Sequence, residues 1–316
     1  MFEHSTSPFG QYELCRFAHP TANCSFSLVP AAGGILVELQ FNGQSIMDCY
    51  ETPEALEEFA WAKNVLLYPY PNRMRDGRYE WQGKSYQFPI NNAATGNSIH
   101  GMGKKSAMRL KNYMLTEHLA SATVVHEYDG HNDYYPFSFE METTYTMSIT
   151  GHFEVELAFK NTGTEIIPAG IGWHPYFCIS DDVAATSLAM PSVEKVEVDA
   201  RLLPTDVRTA FDAFSSLQPI GTQVVDNCFF LLDLESKETH FTLSSARGTL
   251  RYWQESGGQK FGYAQVFTPP ARNAIAIEPM SCNINAFNNN DGLVALKPNE
   301  TLSGRCGFSW QQHEGN

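Results

Sequence analysis

Two segments of this chain place a titratable side chain beside unusually small neighbours. Glu278 ends the run 273–278, in which alanines alternate with isoleucines. In an extended strand the alanines and Glu278 share one face, which is expected to leave open space there. A buried carboxylate is costly unless a partner or a reaction uses it. The pattern favours either a pairing arginine or a proton-transfer site.

His174 has the same kind of surroundings. It shares a strand face with Gly170 and Gly172, and it is followed by proline and aromatic residues. Imidazole titrates near neutral pH, so an open face beside His174 suggests a general acid or base. The alternative interpretation is a core histidine whose hydrogen bonds are satisfied.

Further polar residues lie in loop-like positions. His100 is surrounded by glycine and asparagine, where the backbone can approach a ligand closely. Arg73 follows Asn72 in a Pro- and Asn-containing loop, and an arginine there can present its donors to ligand oxygens. Asp226 lies between two apolar runs, where it either caps a turn or contacts a polar ligand.

The sequence carries no motif for a metal or an organic cofactor. His100, His174, Asp226 and Glu278 include the residue types of zinc ligands. None of them is paired at HxH, HxxxH or HExxH spacing, and there is no GxSxG elbow or phosphate-binding glycine loop. We therefore predict no metal site and no cofactor.

Composition restricts the partners. The chain has 316 residues, of which 43% are hydrophobic, and its formal net charge of −14 disfavours nucleic acid and anionic membrane surfaces. No apolar run reaches the ~20 residues of a membrane-spanning helix, and the N-terminus lacks a signal-peptide pattern. Seven cysteines without CxxC pairs predict reduced, mostly buried thiols and a cytoplasmic location.

Alternation with a period of two residues dominates the chain and predicts β-strands. Apolar residues alternate with polar ones across 139–159 around a turn at 150–151, which predicts a hairpin. The same pattern predicts hairpins at 35–43, 79–88 and 241–252.

Only one helix is predicted, beginning at Pro53 after a Thr52 cap and running to residue 62. No linker, repeat or change in composition divides the chain. We therefore predict one all-β domain over residues 1–316, built as a sandwich or as two packed antiparallel sheets.

Seven segments resemble, in their order along the chain, those of the aldose 1-epimerase or galactose mutarotase family. They are PNRMRDGRY (71–79), PINN (89–92), NSIHG (97–101), YPF (135–137), HPYF (174–177), DNCF (226–229) and IEP (277–279). The resemblance extends from about residue 33 to the C-terminus. It implies the large antiparallel β-supersandwich of mutarotases, with at most one or two short helices.

The resemblance also implies a reaction. Glu278 matches the catalytic base of the family, His174 the catalytic acid, and His100 a second active-site histidine. The implied activity interconverts the α and β anomers of a free aldose, such as glucose or galactose. It proceeds by opening and closing the sugar ring, without a metal or a cofactor.

By the same resemblance, Arg73 and Asp226 match residues that hold sugar hydroxyls. Asn72, next to Arg73 in the same loop, is grouped with them as a predicted substrate-binding residue. The implied partner is a small-molecule sugar, bound by a monomer or a homodimer.

The chain departs from many galactose-active members beside His174. Those members carry Asn before this histidine and Asn-Leu after the Tyr-Phe, whereas this chain has Trp173 and Cys178-Ile179. Two alternatives therefore stay open. One is a sugar-binding or regulatory domain without turnover, and the other is an epimerase that acts on a phosphorylated sugar.

Overall fold

The computed structural model describes residues 1–313, which form β-strands joined by short turns. The strands of these residues are β1 Glu3–Phe9, β2 Tyr12–His19, β3 Cys24–Val29, β4 Ile35–Phe41, β5 Gln44–Ser45, β6 Leu66–Leu67, β7 Arg73–Met74, β8 Arg78–Trp81, β9 Lys84–Gln87, β10 Ser98–Ile99, β11 Arg109–Leu115, β12 Leu119–Tyr128, β13 Phe139–Ser148, β14 His152–Asn161, β15 Ile167–Ala169, β16 Gly172–Trp173, β17 Tyr176–Phe177, β18 Ser187–Ala189, β19 Val193–Val198, β20 Pro204–Phe211, β21 Gln218–Pro219, β22 Asp226–Leu231, β23 Glu238–Ser245, β24 Gly248–Glu255, β25 Tyr263–Phe267, β26 Ile275–Met280, β27 Val294–Leu296 and β28 Thr301–Gln312. The helices are α1 Pro53–Glu58 and α2 Ala286–Asn289.

The four predicted hairpins are confirmed as the pairs β13–β14, β4–β5, β8–β9 and β23–β24. Helix α1 begins at Pro53, and the Thr52 hydroxyl accepts a hydrogen bond from the Ala55 amide at 3.2 Å, as predicted. The helix ends earlier than predicted because Phe59 has a left-handed backbone (φ 56°), after which residues 60–62 form a 3₁₀ turn. Helix α2 was not predicted.

Three antiparallel sheets make up most of the fold, which confirms the all-β prediction. Strands β1 to β5 form the first in sequential order. The second contains nine strands in the order β11-β12-β13-β14-β28-β24-β23-β18-β21. The third has the order β20-β19-β22-β25-β26-β16-β6, and β17 also pairs with β26.

One large apolar core joins the three sheets. Phe26 of the first sheet contacts Phe153 of the nine-stranded sheet at a ring distance of 5.8 Å. Phe177 of the third sheet contacts Phe308 of the nine-stranded sheet at 5.4 Å. The removal of this apolar surface from water is the main stabilising term of such a fold.

Strand β26 divides its side chains between the core and the opposite face, as the alternation predicts. Ile275 and Ile277 belong to the large core, whereas Ala274 and Ala276 pack with Tyr176 in a separate small cluster. The alanines therefore make room for an aromatic ring. Tyr176 covers the alanines, so the open space on this face lies beside Glu278 and not over the alanines.

The glycines before His174 also serve close packing. A Cβ atom on Gly172 would lie 2.6 Å from the carbonyl oxygen of Pro279, and one on Gly170 would lie 2.5 Å from Sγ of Cys282. At Gly172 glycine is favoured because the backbone of the neighbouring strand β26 approaches closely, and at Gly170 the close neighbour is a side chain. The expectation that these glycines open a space for a ligand is wrong.

Two further features of the described residues bear on the sequence predictions. All seven cysteines are free and six are buried, as expected of reduced thiols. Within residues 1–313, no helix has the length and apolarity needed to cross a lipid bilayer.

Candidate active site

His174 and Glu278 are brought together by strand register. Strands β16 and β17 both pair with β26 in one antiparallel register, in which His174 lies opposite Glu278. Pro175, which has no amide hydrogen, follows His174 in the gap between the two short strands. Opposite residues of an antiparallel pair point to the same face. Nε2 of His174 consequently lies 3.3 Å from Oε1 of Glu278.

The backbone of His174 is also held by hydrogen bonds to residues 64 and 65. Its amide donates to the Val65 carbonyl oxygen at 3.0 Å, and its carbonyl oxygen accepts from the Asn64 amide at 2.9 Å. The His174 ring stacks on Tyr176 at 5.0 Å. These contacts leave the imidazole little freedom to move away from Glu278.

Gln265, which the sequence analysis did not select, flanks Glu278 on the other side. It lies opposite Glu278 in the pairing of β25 with β26. Its amide nitrogen donates to Oδ1 of Asp226 at 2.9 Å, and its amide oxygen accepts from Asn72 at 3.4 Å. A polar residue inside the apolar strand 263–267 is the signal that could have identified it.

Arg73 and Asn72 are hydrogen-bonded to each other, next to Gln265. Oδ1 of Asn72 accepts from the Arg73 amide at 2.7 Å and from the Arg73 guanidinium at 3.4 Å. Asn72 is buried, Arg73 is half-buried, and Asp226 is exposed. The polar side chains thus lead from a buried floor at Glu278 to an accessible rim.

His100 approaches from a loop. Its ring centre lies 5.1 Å from that of His174, with the two planes at 67°. The His100 backbone is left-handed (φ 66°), and its amide donates to the Asn72 carbonyl oxygen at 3.2 Å. A Cβ atom on the next residue, Gly101, would lie 2.1 Å from the carbonyl oxygen of Tyr68, so the loop packs tightly there.

All six residues that the sequence analysis selected line one cavity of about 930 Å³, together with Gln265, Tyr176, Phe267 and Trp61. The six are Asn72, Arg73, His100, His174, Asp226 and Glu278. Their convergence from five separate chain segments is a property of the tertiary structure. Large concave pockets with a few convergent polar groups are the usual form of small-molecule sites.

Burial controls the protonation of the central pair. It raises the pKa of Glu278 well above its usual range, and the nearby Asp226 carboxylate adds to this rise while Arg73 opposes it. Burial lowers the pKa of His174 to about 3. The pKa of His100 is also well below its usual range, because of burial and then the nearby His174. These directions favour a protonated Glu278 and neutral imidazoles when no ligand is bound.

The same three side chains supply metal-ligand atoms, which lie within 4.8 Å of one another in His100, His174 and Glu278. Two imidazoles and a carboxylate occur in catalytic zinc sites. A histidine that binds metal almost always donates its other ring N–H to an oxygen atom. Within the described residues, Nδ1 of His174 has no such partner.

The chain belongs to the aldose 1-epimerase family, whose model matches residues 20–309. Family membership supports an enzyme that epimerises sugars. Among curated proteins, the chain is similar to the uncharacterized protein YihR of Escherichia coli (strain K12). The two are 27% identical over 279 residues, which cover 85% of each chain.

Solved structures show the same galactose mutarotase-like fold. A galactose mutarotase-like protein from Clostridium acetobutylicum aligns over 99% of both chains, with a TM-score of 0.85 and 22% identity. A galactose 1-epimerase from Lactobacillus acidophilus NCFM also aligns over 99% of both chains, with a TM-score of 0.78 and 14% identity.

The residues that depart from the family pattern lie away from the cavity. Trp173 has no exposed surface and belongs to the large core. Cys178 packs beside the alanine cluster, and Ile179 is buried in the core. Among the residues that the structure describes, none of these three lines the cavity. These three side chains therefore make no direct contribution to the lining of the site.

Proposed function

We propose that this protein is a mutarotase that interconverts the α and β anomers of a free aldose. The observation that carries the proposal is the contact of His174 with Glu278 on one face of β26, at the floor of a polar cavity. The C1 hydroxyl and the ring oxygen of a pyranose are bonded to the same carbon. An acid and a base in direct contact can therefore reach both oxygens at once.

In the proposed mechanism, Glu278 as a carboxylate removes the proton from the C1 hydroxyl. His174 as an imidazolium donates a proton to the ring oxygen, and the bond between C1 and that oxygen breaks. The open aldehyde rotates about the C1–C2 bond. Ring closure on the other face returns the proton from the new hydroxyl to His174 and the proton of Glu278 to the C1 oxygen. General acid–base steps of this kind contribute about 10²–10⁴-fold each.

The pair shares one proton throughout this cycle. Without ligand, the pKa directions favour the proton on Glu278. Ring opening starts with that proton on His174, so sugar binding has to stabilise the carboxylate. Hydrogen bonds donated by a sugar hydroxyl and by Arg73 favour the charged form of a carboxylate. Oε2 of Glu278 and Nε of Arg73 are buried without hydrogen-bond partners among residues 1–313, so both retain capacity for new hydrogen bonds.

Substrate hydroxyls are assigned to the polar residues around the pair. Arg73 donates hydrogen bonds, Asp226 accepts them, and Asn72 fixes the orientation of Arg73. His100 faces His174 as a neutral imidazole that can donate or accept one hydrogen bond with the sugar. A neutral sugar hydroxyl is therefore a suitable hydrogen-bond partner for each of these side chains.

Polarimetry of freshly dissolved α-glucose and α-galactose tests the proposal. The wild-type protein should speed equilibration above the rate in buffer, and Glu278→Gln should reduce kcat by about 10²–10⁴-fold. Glu154→Gln, a glutamate of β14 outside the cavity, is the matched control and should retain activity. If no aldose equilibrates faster than in buffer, the proposal is wrong.

The two alternative functions predict different results. A sugar-binding domain without turnover would bind aldoses in calorimetry but show no anomer exchange in an NMR saturation-transfer experiment. An epimerase for phosphorylated sugars would be inhibited by a sugar phosphate at lower concentration than by the free sugar. Exchange of free aldoses with weak competition by the phosphate supports the mutarotase.

A further inference from the structure

The side chain of Arg73 has weak contacts for a group that is assigned to hold substrate hydroxyls. Its Nε atom is buried without a hydrogen-bond partner among residues 1–313. Its guanidinium donates to Oδ1 of Asn72 at 3.4 Å, which is long for a hydrogen bond between nitrogen and oxygen. The position of the guanidinium therefore depends mainly on the position of the Arg73 backbone.

That backbone belongs to β7, a strand of only two residues. One edge of β7 pairs with β10, in which Ile99 lies opposite Arg73, and the His100 amide donates to the Asn72 carbonyl oxygen at 3.2 Å. An isolated pair of strands is at best marginally stable, and this pair is very short. Contacts on the opposite edge of β7 would therefore stabilise the positions of both Arg73 and His100.

A single asparagine supplies the contacts on that edge. The Asn285 amide donates to the Arg73 carbonyl oxygen at 2.7 Å, and Oδ1 of Asn285 accepts from the Arg75 amide at 2.9 Å. In an extended chain these two backbone groups point to the same side, where a neighbouring strand would ordinarily bind them. Asn285 thus takes the place of a strand, and its side-chain oxygen acts as a backbone carbonyl would.

The conformation of Asn285 suits this residue type. Its φ is 60°, in the left-handed region that asparagine tolerates better than most residues. The residue is buried. The side-chain nitrogen of Asn288 donates to Oδ1 of Asn285 at 2.8 Å and to the Arg78 carbonyl oxygen at 2.9 Å. These contacts fix the direction in which the Asn285 side chain points.

The segment that contains Asn285 follows the strand that carries Glu278. Strand β26 ends at Met280, and the next residue, Ser281, is bound to Ile171 through two hydrogen bonds. The Ser281 amide donates to the Ile171 carbonyl oxygen at 2.9 Å, and the Ile171 amide donates to Oγ of Ser281 at 2.8 Å. A short, well-bonded stretch of chain therefore connects Glu278 to the backbone of Arg73.

We propose that Asn285 is a positioning residue for Arg73, and that it sets the distance between the Arg73 guanidinium and the Glu278–His174 pair. Asn285 does not itself line the cavity within residues 1–313, so it acts through the backbone of Arg73. The effect on catalysis rests on the proposed mutarotase function. The placement of Arg73 can be measured without any sugar.

Three substitutions separate this role from general support of the fold. Asn285→Gly removes the Oδ1 acceptor but keeps the amide donor and tolerates the positive φ. Asn285→Asp keeps an acceptor oxygen and should restore the contact with Arg75. Asn290→Gly is the matched control, because Asn290 also has a φ of 60°, at the other end of α2, but is exposed and lies outside the cavity. Melting temperatures establish that all variants are folded.

The Nε–H signal of Arg73 in heteronuclear NMR spectra of the sugar-free protein tests the placement directly. Arg73→Lys identifies this signal by removing it. Asn285→Gly should shift or broaden the signal, whereas Asn285→Asp and Asn290→Gly should leave it in place. A signal that is unchanged in Asn285→Gly, or that changes equally in Asn290→Gly, would overturn the proposal.

A double-mutant cycle with glucose and galactose connects the placement to binding. Asn285→Gly should raise Kd in calorimetry and KM in polarimetry about fivefold, which corresponds to the loss of one hydrogen bond. In the Arg73→Ala background it should have no further effect, because the group that it positions is absent. Equal weakening of binding in both backgrounds would reject the positioning role.

The two proposals can fail separately. A changed Arg73 signal in Asn285→Gly, together with no anomer exchange of any aldose by the wild type, would support the positioning role and reject the mutarotase function. Anomer exchange by the wild type, together with an unchanged Arg73 signal in Asn285→Gly, would do the reverse.

Discussion

Nε2 of His174 lies 3.3 Å from Oε1 of Glu278, and the two residues hold opposite positions in a single antiparallel register. Both side chains are buried, with 5% and 2% of their surface exposed. Burial disfavours the charged form of each, which favours a neutral pair over an ion pair when no ligand is bound. The pair therefore combines proton-transfer capacity with a cost in stability that depends on pH.

The free energy of unfolding should depend on pH through the ionisation of Glu278. Above about pH 4.5 the unfolded chain releases this proton, while the folded protein retains it up to its raised pKa. The stabilising contribution is full below pH 4.5 and is lost as the pH rises through the folded pKa. Glu278→Gln has no such loss. Its free energy of unfolding relative to wild type should increase with pH above 4.5, by at most about 1.4 kcal/mol per pH unit.

Denaturant titrations of both proteins between pH 4 and pH 9 measure this difference. His174 contributes in the opposite direction, because its pKa is lowered to about 3. Its contribution is present above pH 6.5 and is lost as the pH falls towards 3. The two effects occupy different pH ranges over most of the titration. Parallel curves for wild type and Glu278→Gln above pH 4.5 would contradict the raised pKa of Glu278.

The rate of anomer exchange should fall at high pH. The proposed cycle needs one proton on the Glu278–His174 pair, and the raised pKa of Glu278 keeps that proton bound beyond the usual range of a glutamate. The profile of kcat/KM against pH should therefore fall with an apparent pKa well above 4.5. A profile that falls at or below the ordinary pKa of a glutamate, or that keeps rising as this proton is lost, would be evidence against a proton shared by the pair. The measured values belong to the Glu278–His174 pair, since the two groups are coupled.

Gly172→Ala should separate the pair. The new Cβ atom would lie 2.6 Å from the Pro279 carbonyl oxygen, so β16 and β26 must move apart. A displacement of about 1 Å at a reacting group can cost on the order of 10² in rate. We expect a loss of kcat of that size and a decrease of about 1–3 kcal/mol in the free energy of unfolding.

Gly262→Ala is the matched control for this variant. A Cβ atom on Gly262 would meet no atom within 4 Å, and its backbone is not left-handed. Activity and stability should stay close to wild type. Equal effects of the two substitutions on kcat would show that the close approach at Gly172 does not position the pair.

Gln265→Ala should raise KM for the sugar more than it lowers kcat. The substitution removes the donor to Asp226 and the acceptor of Asn72, so both of these side chains lose a partner. A lost buried hydrogen bond costs about 1–3 kcal/mol of stability. Steady-state polarimetry and thermal unfolding measure the two effects.

Gln254→Ala provides the comparison, because Gln254 is also buried and hydrogen-bonded but lies outside the cavity. It should lose similar stability without a change in KM. If both variants leave KM unchanged, Gln265 supports the fold and has no part in sugar binding.

Chelation should leave activity unchanged. His100, His174 and Glu278 have the donor types for zinc, so a metal-dependent reaction is the main chemical competitor. In the proposed mechanism these side chains move protons themselves. Dialysis against EDTA should not reduce kcat, and elemental analysis should find far less than one zinc per chain. A stoichiometric metal whose removal abolishes activity would refute the acid–base mechanism.

The six polar residues that the sequence analysis selected could be predicted because the sequence around each of them is unusual. Glu278 and His174 interrupt apolar runs, and His100 lies among glycines and asparagines. Gln265 and Trp61 were missed. Gln265 is one polar residue in a strand, and Trp61 follows a short helix where an aromatic residue would ordinarily be buried.

The hairpins could be predicted from the sequence alone, since alternation of polar and apolar side chains follows from the two-residue repeat of an extended chain. The sequence also determined that Ile275 and Ile277 face one way and Glu278 the other. The pairing of strands that lie far apart in the sequence could be seen only in the folded protein. The register that sets His174 against Glu278 joins residues about a hundred positions apart, and no local pattern encodes such a pairing.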